Sequence, residues 1–134
     1  TRHYRSPVHD VSIARDGLVY VADRTNNRIQ VFQKDGTFVT ESRIRPETLG
    51  SGSASGVALS EDPDQRWLYV PDGTNNVIWI VDRPTLEVRD HIGRMGKRAG
   101  HFYRLHNVAV DSRGNLYTTE VNVGQRFQKF ERLR

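Results

Sequence analysis

The stretch VYVADRTNNRIQVF at residues 19–32 returns as LYVPDGTNNVIWIV at 68–81 with seven of fourteen positions identical. A looser third copy, LYTTEVNVGQRFQKF, fills 116–130. Tyr20, Tyr69 and Tyr117 stand forty-nine and forty-eight residues apart, so one unit of nearly constant length is written three times. Self-similarity at this period marks a repeat architecture, in which each unit relies on its neighbours to bury an apolar face.

Each unit follows the same grammar. A short β-branched run opens it: VSI at 11–13, VAL at 57–59, VAV at 108–110. Turn residues follow in ARDG, SEDPDQR and DSRGN, where Gly, Asp and Asn accept the backbone angles of tight turns. A second strand then surrounds the repeated tyrosine, a polar turn carries Asn26-Asn27 or Asn75-Asn76, and RIQVF or VIWIV forms a third strand. A fourth, weaker strand is expected around 37–41 and 86–90. No amphipathic helical stretch interrupts the pattern. The chain therefore reads as all-β, about three four-stranded antiparallel blades of a β-propeller segment, with near-continuous apolar inner strands suited to face-to-face stacking. The expected blades cover about 8–45, 55–92 and 105–134, the last lacking its outer strand. They form a single partial propeller over 1–134.

Composition narrows the class without naming a function. No apolar run reaches membrane-spanning length, so no membrane partner is expected. The sequence starts at Thr1 with no apolar leader, as expected of a mature or excised segment. Cysteine is absent, which removes disulfide and thiolate chemistry and leaves the redox compartment open.

The stretches SPVHDVSIARDGLVYVADRTNNRIQVFQKDGTFV and FYRLHNVAVDSRGNLYTTE resemble NHL repeats, and the resemblance runs from about Ser6 to Phe130. It implies a propeller, commonly six-bladed, of which this chain would be about half. Two kinds of partner would then cover the open flanks: the missing propeller half in a longer chain, or a second copy forming a homodimer that closes a six-bladed ring.

Within that group, the chain is similar to the bacterial relatives of peptidyl-α-hydroxyglycine α-amidating lyase. The resemblance implies a zinc-dependent cleavage of the C–N bond of a peptide ending in α-hydroxyglycine, and a secreted or periplasmic setting. It also implies zinc held by histidines in a Pro-His-x-hydrophobic pattern at alternate blades. His9 in PVHDV and His106 in RLHNV occupy that place, each two residues before the opening valine, while Ser55 stands there in the intervening blade. Arg24, directly after Asp23 in ADR, corresponds to an active-site arginine that would pair with the substrate carboxylate. The third histidine, the catalytic tyrosine and a second active-site arginine would lie in blades outside this sequence. A structural calcium held by backbone carbonyls is implied as well. In a homodimeric ring the histidines would fall in blades one, three, four and six, which breaks the alternate-blade spacing.

Each residue also has a plainer reading. Imidazoles at 9 and 106 serve equally as hydrogen-bonding links between blades, and Arg24 as a surface ion-pair partner, since blade two has Gly73 there. His3, His91 and His101 share no repeat context and are read as loop or solvated residues. The acids Asp23, Asp72 and Glu120 recur in every unit, which points to a structural role at the following turn. GRMGKRAGHF at 93–102 lacks the Walker pattern and reads as a loop between blades. Residues 83–134 carry eleven basic and five acidic side chains, yet without an aromatic platform, so nucleic-acid binding is not expected. The competing function is a non-enzymatic propeller scaffold that offers a loop face to a protein.

Overall fold

The computed structural model describes residues 3–133. Its eleven strands among the described residues form three antiparallel sheets, each a simple meander. The first sheet runs β1 (Asp10–Ile13), β2 (Val19–Asp23), β3 (Arg28–Phe32), β4 (Phe38–Arg43). The second runs β5 (Ala58–Leu59), β6 (Trp67–Asp72), β7 (Val77–Asp82), β8 (Glu87–Ile92). The third holds only β9 (Leu105–Val110), β10 (Leu116–Glu120) and β11 (Arg126–Phe130). One 3-10 turn, Arg24–Asn26, is the sole helical element among the described residues, and no helix is long and apolar enough to cross a membrane.

The strands follow one another in each sheet in the expected order, and the starts of the fourth strands have local causes. The fourth strand of sheet one begins at Phe38 because Asp35 Oδ1 accepts the Thr37 N–H at 2.9 Å and holds Thr37 in the turn. That of sheet two begins at Glu87 because Leu86 sits at φ 57 with its N–H bonded to the Asp82 carbonyl at 2.7 Å. The innermost strand of sheet three is longer than VAV, reaching back to Leu105 through a bulge opposite Thr119 and Glu120.

Strand periodicity builds the core. Along β7, Val77, Trp79 and Val81 pack towards sheet one with Ile29, Val31, Leu68 and Val70, while Ile78 joins Phe102, Leu105, Val108 and Leu116 towards sheet three. Sheet two is thus sandwiched, which explains an apolar third strand without polar alternation. The outer faces of the stack remain open: Val11 and Ile13 on β1 are 58% and 59% exposed, and Phe127 on β11 is 71% exposed.

Candidate functional site at the inner edge of the blades

The innermost strands β1, β5 and β9 present N–H groups that no neighbouring strand can take. Side chains satisfy them. Asp10 accepts the N–H of Val11 at 2.8 Å through Oδ1 and, across the blade boundary, that of Val57 at 3.0 Å through Oδ2. Asn107, at the equivalent place in blade three, accepts the N–H of Val108 at 2.8 Å. Gly56 is the blade-two equivalent, and a Cβ there would lie 3.0 Å from Asp10 Oδ2, so the missing side chain makes room for its neighbour's carboxylate.

One residue earlier stand His9, Ser55 and His106. The backbone repeats here: the His9 N–H donates to the Ala22 carbonyl at 3.0 Å, and the Ser55 N–H to the Pro71 carbonyl at 2.9 Å. The same position in successive blades therefore faces the same central space. The rings of His9 and His106 meet there with centroids 5.1 Å apart and planes at 68°. His9 Nδ1 donates to the Ser55 carbonyl at 2.5 Å, so the intervening blade orients one of the two rings. Burial, followed by the nearby His9 and Arg24, holds the His106 pKa below the usual histidine value. His3, His91 and His101 are not part of this pair: His91 lies against Trp79, and His101 Nε2 accepts a hydrogen bond from Arg94.

Arg24 lies on the 3-10 turn that follows β2, and its blade equivalents are Gly73 and Val121. All three line one cavity of about 230 Å³, together with Ser55, His106 and Arg104. Burial, with Arg104 adding to it, lowers the Arg24 pKa, and Arg24 Nε is buried with no hydrogen-bond partner among the described residues. Arg104 carried no motif signal. The only clue was positional, a basic residue where the first repeat has Pro7, two residues before the histidine.

The repeated acids are structural. Asp72 Oδ1 accepts the N–H groups of Thr74 and Asn75 at 3.0 and 2.8 Å, and its Oδ2 accepts Asn75 Nδ2 and Trp79 Nε1. Asp23 Oδ2 accepts Asn26 Nδ2 and Arg28 Nε, both at 2.8 Å, in a pair that is fully buried. Glu120 accepts the Tyr103 N–H at 2.6 Å and pairs with Arg126. The second asparagine of the turn has its own task, adopting positive φ at Asn27 and Asn76 and reaching into the next blade. Asn27 Oδ1 accepts the Ser53 N–H at 2.9 Å, and Asn76 Oδ1 accepts the Arg104 N–H at 2.7 Å. The basic loop at 93–102 is held from below, Arg126 donating to the carbonyls of Lys97 and His101.

Residues 8–32, which carry His9, β1, β2 and Arg24, match the NHL repeat. Those residues carry an NHL repeat, and the chain folds as a β-propeller segment. Solved structures with this repeated-blade arrangement agree in shape. Hydrazine synthase from Kuenenia stuttgartiensis matches with a TM-score of 0.68 at 18% identity over 90% of the chain. Virginiamycin B lyase from Staphylococcus aureus matches at 0.66 and 14% identity over 98%. A chain of the nidogen/laminin complex matches at 0.60 and 20% identity over 91%. Identities this low show the fold. The segment spans 32%, 43% and 47% of those three chains, so it corresponds to part of each.

Proposed function

We propose that this segment contributes to a metal-dependent lyase site of the amidating-lyase kind, with His9 and His106 as two protein ligands to zinc. The approach of two imidazoles from non-adjacent blades to 5.1 Å carries the reading. The Ser55 carbonyl commits the His9 proton to Nδ1 and leaves Nε2 as the lone-pair nitrogen of the neutral ring, the usual way an outer partner orients a metal-binding histidine. The lowered pKa of His106 keeps that ring neutral near pH 7, the state in which imidazole binds a metal.

The donor set fits zinc in kind but is short in number. Among the described residues no group of three or more His, Cys, Asp or Glu converges, whereas catalytic zinc takes three protein ligands and an open position. The further ligand would come from the rest of the ring, supplied by additional blades or by a second copy. Zinc in such a site supplies Lewis-acid polarisation of the substrate hydroxyl. In this proposal Arg24 orients the substrate by pairing its planar fork with a carboxylate, and the cavity walls of Ser55 and Gly73 limit what reaches the rings.

Zinc titration followed by calorimetry on untagged protein tests the reading. The wild-type chain is expected to bind one zinc through its two imidazoles, more weakly than a site with its third protein ligand, and a His9→Ala, His106→Ala double variant with an unchanged circular dichroism spectrum is expected to lose that binding. Equal, negligible uptake by both proteins would refute it.

A further inference from the structure

The cavity that Arg24 and Arg104 share has no counter-charge. Each acid that precedes one of its repeat-equivalent lining positions is turned inward and occupied: Asp23 by Asn26 and Arg28, Asp72 by Asn75 and Trp79, Glu120 by Tyr103 and Arg126. No acidic residue lines the cavity. Neither guanidinium donates to another protein group among the described residues, and Arg24 Nε is buried without a partner. Arg24 Nε is one of four buried side-chain polar atoms among the described residues without a partner, and the one that belongs to a cation beside a second cation.

We infer that Arg24 and Arg104 form a two-armed clamp for an oxyanion, with Arg104 the residue that gives the site its preference for acidic ligands. Two planar forks on one small cavity offer several N–H donors to a carboxylate or phosphate. The backbone fixes the second arm: Arg104 sits at φ 59, and Asn76 of the preceding blade holds its N–H at 2.7 Å. Ser55 adds a third donor. Its Oγ accepts the Gly73 N–H at 3.3 Å, which leaves the hydroxyl proton free for an anion in the cavity. Gly73 lines the cavity with Arg24, Ser55 and Arg104, and a Cβ there would meet the Leu105 carbonyl oxygen at 2.3 Å. The inference deepens the lyase reading and rests on it only for Arg24 facing the substrate; it requires no metal.

The test is an amide NMR titration of EDTA-treated protein with acetate and, separately, with inorganic phosphate, at constant ionic strength. Saturable shifts centred on Arg24, Ser55 and Arg104 are expected. Arg104→Gln should weaken the tighter-binding anion roughly tenfold, the scale of one charge-assisted hydrogen-bond set. Arg104→Lys should fall between, because it keeps the charge and loses the fork. An Arg98→Gln variant on the 93–102 loop, outside the cavity, should bind as wild type. Tighter acetate binding identifies a carboxylate ligand and tighter phosphate binding a phosphorylated one; either supports the clamp. Absence of saturable binding, or wild-type affinity in folded Arg104→Gln, overturns it. Anion binding that persists while zinc uptake fails would remove the metal proposal and leave the clamp standing.

Discussion

Asp23→Asn isolates the charge of one buried group with little change in shape. Asp23 and Arg28 face each other across β2 and β3, with side chains 0% and 1% exposed. Both hydrogen bonds to Asp23 go to Oδ2, while Oδ1 has no partner among the described residues. An asparagine can therefore place its oxygen where Oδ2 was and its amide where nothing is lost. What disappears is the negative charge beside a buried guanidinium. Removing one member of a buried pair costs ~3–5 kcal/mol. Glu41, 3.2 Å from Arg28 and partly exposed, still compensates in part, so the lower end applies, ~3 kcal/mol, or roughly 10 °C in Tm for a chain of this size. Urea and thermal unfolding followed by the fluorescence of Trp67 and Trp79 would measure it. Arg28→Met and the double variant complete a cycle, which should be non-additive by at least ~1 kcal/mol because the second change removes the stranded charge. A loss under ~1 kcal/mol, the level of an exposed pair, or strict additivity would refute the reasoning.

Arg24→Gln should raise the His106 pKa, since the Arg24 charge is one of the causes of its depression, and NMR titration of the ring would show it; an unmoved value would mean that burial and His9 account for the whole effect. Because the folded His106 value is lowered, its contribution to stability is full above the ordinary histidine pKa and is lost as pH falls through the folded one, and the Arg24 variant should narrow that window. Gly73→Ala would place a Cβ 2.3 Å from the Leu105 carbonyl oxygen, forcing blades two and three apart beside His106. We expect a loss of ~1–3 kcal/mol by chemical denaturation, and wild-type stability would show that the backbone yields freely there.

The repeat period, the β-branched openings and the Asn-Asn turns sufficed to divide the chain into blades, because strand and turn formation are local and each unit states them again. The same alignment put His9, Ser55 and His106 at one position, since equivalent residues of a radial repeat must face one axis. Strand edges were less legible. Asp35 and Leu86 delay the fourth strands through hydrogen bonds and backbone angles that composition does not display.

The architecture and the candidate imidazoles could be read from the residues alone, because periodicity is a property of the chain. Only the tertiary structure decided that Ser55 orients His9, that Asn76 presents Arg104, and that the two cations of the cavity are left without an acid. Those relations join residues from different blades, and their distances are set by how the sheets pack, which no single repeat encodes.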